Sequence, residues 1–251
     1  MASASRSASV AYGFLGVALF IGGWQLIGAY QLAGLTWPPF TTVISYLIEP
    51  SRWGLFSRAL EATLWAMGFG YAVGGACGFT IAVAASMFDR LRPMLDTTSA
   101  VVHAIPAIAI APLFIILLGT STAPSALSAL NVFFIMYVST SAGLAAATPA
   151  HRDVFRVLGA SKTQQLYRLQ LPNALPSIIT GLRLAAPASV IGAIIGEWFG
   201  APRGLGLLIV SAMQNFQIPL LWSTIVLATA ISAITYGLFG LIERLIHARF
   251  Q

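Results

Sequence analysis

Charged side chains are scarce in this chain. Asp, Glu, Lys and Arg make up 8% of it, against about 25% of an average soluble domain. Seven acidic and 13 basic residues cannot cover the surface of a water-soluble fold of 251 residues, of which 58% are hydrophobic. This scarcity excludes an ordinary soluble globule, and the long apolar runs indicate an integral membrane protein.

Other absences exclude whole classes of chemistry. The single cysteine, Cys77, cannot form an intrachain disulfide, and it lies in an apolar run. No G-x-x-x-x-G-K-[ST] loop is present for nucleotide phosphates, and no H-E-x-x-H or G-x-S-x-G arrangement for catalysis. The histidines are scattered at positions 103, 151 and 247. We therefore predict a chain that is not an enzyme and that binds no metal or cofactor itself.

Six apolar segments are long enough to cross a hydrocarbon core about 30 Å thick as helices. They are residues 10–30, 60–86, 97–118, 126–147, 177–199 and 221–243. The first is too long for a signal peptide and is interpreted as an uncleaved span. We predict an all-α membrane protein with one transmembrane domain over residues 1–251, whose core spans cover about 60–243.

The positions of the basic residues argue against nucleic-acid binding despite the net charge of +6. One side of the predicted membrane receives nine of them: Arg6, Arg90, Arg92, Arg152, Arg156, Lys162, Arg168, Arg244 and Arg249. The other side receives Arg52, Arg58 and Arg203. The positive-inside rule therefore places both termini and the loop 148–176 in the cytoplasm.

The outer segment after the first span has an apolar stripe with helical spacing. Phe40, Val43, Ile44, Leu47 and Ile48 repeat at i, i+3, i+4, i+7 and i+8. The stripe predicts either a helix lying flat at the membrane interface or a short helix buried in the fold.

Small residues and prolines mark the faces and bends of the spans. Glycines recur every four residues at 70, 74 and 78 and at 192, 196 and 200, a spacing that permits close helix packing within the chain or between subunits. Pro106 and Pro112 in the third span and Pro187 in the fifth predict bent helices.

The loop 148–176 contains signals for two small helices. Thr148 and Pro149 predict a helix start, and Gly159 predicts its end in a left-handed conformation. Ser161 and Gln164 form a predicted capping box for a second helix. Pro172 and Pro176 are expected to end that helix before the fifth span begins.

The first loop helix carries an apolar ridge in a polar segment. Val154 and Leu158 share a face beside Phe155, and Arg152 and Arg156 form a neighbouring basic stripe. The ridge fits a protein partner, or alternatively the membrane surface with its arginines against anionic lipid.

The same loop resembles the EAA loop of bacterial ABC-importer permeases. That family's pattern is E-A-A, three residues, G, nine residues, I-x-L-P, and here Asp153-Val154-Phe155, Gly159 and Leu169-Gln170-Leu171-Pro172 keep the spacing. Ala104-Ile105-Pro106 with Ala111-Pro112-Leu113 is similar to the sulfonate, taurine and nitrate subfamily. Asp153 replaces the usual Glu, and Val154-Phe155 replaces two alanines, which predicts a partner pocket of different shape.

The resemblance implies the type I ABC importer permease fold, in which this loop is the coupling helix that docks on a separate ATPase subunit. The residues that it assigns to coupling are Asp153, Phe155, Arg156, Leu158, Gly159, Ala160, Leu171 and Pro172. It also implies two ATPase subunits that use ATP and Mg, a second permease copy, a periplasmic or lipid-anchored solute-binding protein, and the bacterial inner membrane.

Four residues are candidates for the pathway or its gates: His103, Pro106, Arg183 and Glu197. For His103 and Glu197, a structural hydrogen bond or helix-end contact is an equally open interpretation. The resemblance leaves the solute among sulfonates, taurine, nitrate and pyrimidine or flavin vitamin precursors. A secondary transporter or channel is the alternative of another class.

Overall fold

A computed structural model describes the backbone of residues 2–250 and the side chains of residues 11–245. Arg6, His247 and Arg249 lie outside the described side chains. Every regular element of the described chain is helical. The helices are α1 (Ala2–Ala29), α2 (Phe40–Ile48), α3 (Trp53–Met87), α4 (Arg92–Ala104), α5 (Ala107–Leu118), α6 (Ala123–Ala145), α7 (Pro149–Val157), α8 (Lys162–Gln165), α9 (Leu171–Trp198), α10 (Leu205–Gln214) and α11 (Ile218–Phe250).

Five helices of the described chain are long and apolar enough to cross a membrane, and a bent pair, α4 with α5, supplies a sixth if it counts as one span. Two further turns complete the elements: a 3₁₀ turn at Pro50–Arg52 extends α3, and a π-helical turn at Leu166–Gln170 joins α8 to α9. The predicted all-α membrane architecture is confirmed.

The third predicted span, 97–118, is not one helix. α4 and α5 meet at 95°, and Ile105 and Pro106 between them have extended backbone. A proline disfavours helical geometry in the residue before it, so the chain breaks at Ile105 instead of bending smoothly. Pro112, in contrast, stays within α5. At 1.5 Å per residue each half is roughly 20 Å long, too short to cross the bilayer alone.

The prediction that Pro172 and Pro176 end the second loop helix is wrong. The chain is helical from Lys162 to Trp198, with the π turn in between. Pro172 is the second residue of α9 and follows directly on the π turn. The Asn173 side chain also donates to the Leu169 carbonyl at 3.0 Å. The prolines therefore shape this helix without interrupting it.

The chain forms two compact units. One takes the chain up to Ser57 together with Leu208–Leu227, and the other takes Arg58–Leu207 and the chain from Ala228 onward. The first unit contains α2, whose Val43 is fully buried while Thr41, Thr42 and Ser45 are exposed. Part of the apolar stripe of α2 thus faces the protein: Leu47, together with Tyr46, packs against Phe56, Ala212 and Leu220. Ile48, at the end of the stripe, is 61% exposed.

In the second unit, the glycines let α3 and α9 approach α6 closely. A β-carbon at Gly70 would meet the Ser125 carbonyl at 2.5 Å, and one at Gly74 would overlap Ala129. On α9, a β-carbon at Gly196 would lie 2.5 Å from Pro124 of α6. Both stripes are therefore used for packing within the chain. Gly200, placed on the second stripe by its spacing, lies beyond the end of α9.

Candidate functional site

The first loop helix, α7, begins as its sequence predicts. The Thr148 hydroxyl accepts a hydrogen bond from the His151 N–H at 3.4 Å, and Pro149 occupies the first helical turn. These two residues satisfy or remove N–H groups that would otherwise lack partners at the start of a helix. These caps define Pro149 as the first residue of α7.

A Schellman turn ends α7 at Gly159. The Ala160 N–H donates to the Phe155 carbonyl at 2.9 Å, and the Gly159 N–H donates to the Arg156 carbonyl at 3.0 Å. Gly159 has a φ of +73°, in the left-handed region that favours glycine. The end of α7 is thus as well defined as its start.

The capping box of α8 follows at once. The Ser161 N–H donates to Gln164 Oε1 at 2.9 Å, and the Gln164 N–H donates to Ser161 Oγ at 3.3 Å. Gln165 Nε2 adds a bond to the Ala160 carbonyl at 3.0 Å. Consecutive caps leave little freedom between α7 and α8, so the two helices form one stiff loop.

Two basic residues attach this loop to the ends of the spans. Lys162 Nζ lies 2.7 Å from the Asp89 carboxylate, which follows α3 in the chain. The hydrogen bond from Lys162 lowers the pKa of the Asp89 carboxyl, so this group is charged at neutral pH. Arg152 Nη2 donates to the carbonyls of Leu144 and Ala145, at the end of α6, at 3.2 and 3.1 Å.

The outer face of α7 is an exposed apolar ridge. Val154, Val157 and Leu158 are 55%, 86% and 77% exposed, and Phe155 is half-buried. The exposed Asp153 and Arg156 pair beside the ridge at 3.2 Å. An apolar patch of this kind on a rigid polar loop is typical of a protein-docking surface.

Leu171 lies in a different environment from the other predicted coupling residues. It packs against the buried cluster of Leu144, Leu166 and Ala174, while Pro172 beside it is exposed. Leu171 therefore holds the loop to the spans and is not part of the exposed ridge.

The predicted pathway residues do not come together in one place. His103, near the end of α4, stacks on Phe134 of α6 with ring centroids 3.7 Å apart. Pro106 forms the break between α4 and α5. Arg183 Nη1 lies 2.6 Å from Glu243, which also accepts from Thr180 at 2.6 Å. Arg183 is thus half of an ion pair between α9 and α11.

Glu197 forms a buried clamp. Its side chain is 1% exposed, and its carboxylate accepts from Thr63 of α3 at 2.8 Å and from the Gly206 N–H at 2.7 Å. The Thr63 hydroxyl accepts in turn from the Leu205 N–H at 2.9 Å. These two N–H groups open α10, where a carboxylate is stabilised by the helix dipole.

Gly204 makes room for this clamp. Its φ is +143°, and a β-carbon there would overlap the Glu197 carboxylate. The geometry matches the helix-end interpretation of Glu197, because its carboxylate bonds to the first turn of α10 and to Thr63 of α3.

Several functional residues escaped the sequence reasoning. Val157 follows Val154 by three residues, so a stricter reading of helical spacing would have added it to the ridge. Thr63 and Asp89 carried no such signal, since their partners lie 134 and 73 residues away.

A protein-family model described as "Binding-protein-dependent transport system inner membrane component" matches residues 70–248. The chain belongs to this family. It is a multi-pass membrane permease of an ABC importer, and permeases of this family work with an ATPase and a solute-binding protein. This membership confirms the resemblance read from the loop and decides against a secondary transporter or channel.

Individual relatives extend the match over more of the permease. This chain is 32% identical over 193 residues to the formylaminopyrimidine transport permease protein ThiX of Halalkalibacterium halodurans. The match covers 76% of this chain and 77% of that protein. The chain is 28% identical over 234 residues to SsuC of Bacillus subtilis, named for transport of aliphatic sulfonates, covering 92% of this chain and 85% of that protein.

A solved structure confirms the fold of the permease. A chain of the MetNI methionine ABC transporter in an inward-facing conformation superposes with a TM-score of 0.70 at 17% identity. The match covers 79% of this chain and 99% of that one. The predicted type I ABC importer permease fold is therefore confirmed.

Proposed function

We propose that this permease imports a small solute, namely an aliphatic sulfonate, taurine or nitrate. The observation that carries the proposal is the SsuC match, which extends over almost the whole chain. A second candidate is a pyrimidine precursor of a vitamin, favoured by the higher identity to ThiX over a shorter stretch. Riboflavin or a related flavin belongs to this second candidate.

The charges within the spans support a passage that leaves solute selection to the binding protein. Arg183 is paired with Glu243, and Glu197 is clamped by Thr63 and Gly206. Using one of these groups as a counter-ion for a solute would require breaking a buried contact, which is costly. The binding protein then selects the solute and the permease supplies a gated route.

Growth of a strain lacking this gene tests the solute. Taurine or an alkanesulfonate is given as sole sulphur source, nitrate as sole nitrogen source, and a formylaminopyrimidine or riboflavin to a matching auxotroph. We expect a selective defect on sulfonates, taurine or nitrate that the intact gene rescues. A defect confined to the vitamin precursor would replace the first candidate with the second.

We also propose the assembly: two permease copies, as a homodimer, with two ATPase subunits on the cytoplasmic side of a bacterial inner membrane. A periplasmic or lipid-anchored binding protein delivers the solute to the outer face. ATP and Mg are used by the ATPase subunits, and the permease itself holds no cofactor. ATP binding moves the coupling loops and switches the spans from inward-open to outward-open, and hydrolysis resets them.

The ridge on α7 is the proposed ATPase contact. Phe155 and Leu158 supply apolar area together with Val154 and Val157, while Asp153 and Arg156 supply polar contacts at its edge. Gly159 and Ala160 hold the turn. Leu171 holds the loop to the spans through the buried cluster, and Pro172 lies exposed beside it. The capped ends support this role, because a stiff loop transmits displacement without deforming.

Co-purification tests the contact. Replacing both Phe155 and Leu158 by Asp places two charges in the proposed apolar interface, so we expect the ATPase to be lost on purification. Phe216→Asp is the matched control, since Phe216 is exposed but lies between α10 and α11. Full retention of the ATPase by the double variant would move the contact elsewhere.

A further inference from the structure

A polar cavity of about 170 Å³ lies behind the coupling loop, between α7, the ends of α3 and α6, and the start of α8. The charged side chains in its lining are four cations and one carboxylate: Arg92, Arg152, Arg156, Lys162 and Asp89. The lining therefore carries an excess of positive charge.

Three of the four cations already have an acidic partner. Lys162 pairs with Asp89 at 2.7 Å, Arg156 with Asp153 at 3.2 Å, and Arg92 more distantly with Asp96 at 3.7 Å. Arg152 is different, because no salt bridge to it occurs among the described side chains.

One group in the lining is a buried donor without a partner. Arg152 uses Nη2 on two carbonyls of α6, but its Nε is buried and makes no hydrogen bond. The Ser141 hydroxyl is buried in the same lining, beside the Tyr137 hydroxyl. Buried donors that lack acceptors carry a free-energy cost, which an acceptor in the cavity would remove.

We propose that this cavity binds a tetrahedral oxyanion, which is either the phosphate of an anionic lipid headgroup or free phosphate from the cytoplasm. Guanidinium groups suit such oxygens because their N–H donors form a planar fork. A cavity of this volume has room for one phosphate group and several waters. The proposal does not depend on which solute the permease carries.

Binding would brace the coupling loop. Arg152 belongs to α7 and Arg92 to α4, so an oxyanion that bonds to both connects two elements that contact it from different sides. The basic residues of the loop would then bind the oxyanion in addition to setting the orientation of the protein in the membrane.

The first experiment measures thermal unfolding of the full-length permease in a neutral detergent, with sodium phosphate titrated against sodium chloride at equal ionic strength. We expect saturable stabilisation by phosphate alone. Arg152→Gln and Arg92→Gln should each weaken apparent phosphate affinity about tenfold or more. Arg90→Gln, which removes an exposed charge outside the lining, should bind phosphate as the unaltered chain does.

A second experiment identifies the source of the anion. The permease is exchanged into bilayers of phosphatidylglycerol or phosphatidylcholine, and its retained lipids are counted by native mass spectrometry. Selective retention of phosphatidylglycerol, reduced in Arg152→Gln and Arg92→Gln, assigns the site to lipid. Stabilisation by phosphate without selective lipid retention assigns it to a free anion.

The proposal is overturned if phosphate acts no more strongly than chloride and neither lipid is retained selectively. It is equally overturned if the effects persist in both arginine variants. Because Arg152 also bonds to the end of α6, its variant could fail to fold. In that case Arg92→Gln and Ser141→Ala, which leave those α6 contacts intact, decide the outcome.

Discussion

At the scale of single residues, Gly159 connects sequence and mechanism most directly. No atom lies within 4 Å of a β-carbon built at this position, so the positive φ alone explains the preference for glycine. Valine at a φ of +73° costs about 1–3 kcal/mol. We expect Gly159→Val to leave ATP hydrolysis but lose solute uptake, because the loop no longer holds its shape.

Asparagine tolerates the left-handed region, so Gly159→Asn is the matched control and should keep uptake coupled. Uptake and hydrolysis are measured together in proteoliposomes with the ATPase and binding protein. Unchanged coupling in the valine variant would show that this turn is not required.

Thr63 offers a second test at the residue scale, because it joins the Glu197 carboxylate to the first N–H of α10. Thr63→Val keeps the shape but leaves both partners short of a bond, which costs about 1–3 kcal/mol. We expect thermal unfolding in detergent about 2–10 °C lower. Thr63→Ser retains the hydroxyl and should unfold close to the original temperature; equal losses in the two variants would assign the effect to packing.

At the scale of helices, the close approach of α3 to α6 depends on which face each glycine occupies. Gly74 faces α6 and has no room for a methyl group, whereas nothing lies within 4 Å of a β-carbon at Gly68 of the same helix. Gly74→Ala should therefore destabilise the fold by about 1–3 kcal/mol. Gly68→Ala should be neutral or stabilise it by up to about 1 kcal/mol.

Thermal unfolding of both variants in the same detergent checks this pair. Two changes of the same sign and size would mean that helix propensity, and not contact with α6, governs both positions.

Helices also show where local patterns stop being informative. The caps of α7 and α8 were predictable because each depends on residues within a few positions of one another. The 95° break at Ile105 was predicted only as a bend, since the proline signals a disturbance but neighbouring helices set its angle. Pro172 was misjudged for the same reason, because the π turn before it has no comparable sequence signal.

At the scale of the whole molecule, the topology rests on the distribution of Lys and Arg and is directly testable. In a Cys77→Ala background, Gln214→Cys should react with an impermeant maleimide on intact cells. Thr163→Cys should react only after the membrane is opened. Both side chains are exposed, so access is decided by the side of the membrane. Labelling of the Thr163 variant on intact cells would invert the orientation.

The spans and the family were predictable from the sequence at this scale, because apolar length and loop spacing are encoded locally. The contacts that hold the parts together were not. Glu197 was named as a candidate gate, yet its partner Thr63 is 134 residues distant. Lys162 was used in the sequence analysis only as one of the positive charges that set the membrane orientation. Its pairing with Asp89 was not predicted, since the pattern of a single sequence does not show which distant groups are in contact.

One continuous rod runs through the second unit. The helix from Lys162 to Trp198 contains 37 residues and is about 55 Å long. Its first residue is bonded to Asp89, and Glu197 near its last is bonded to Gly206. In the proposed cycle, a displacement of the coupling loop therefore acts on one end of this helix, whose far end is bonded to the start of α10. The cytoplasmic and outer ends of the permease would then move together, because a single helix connects them.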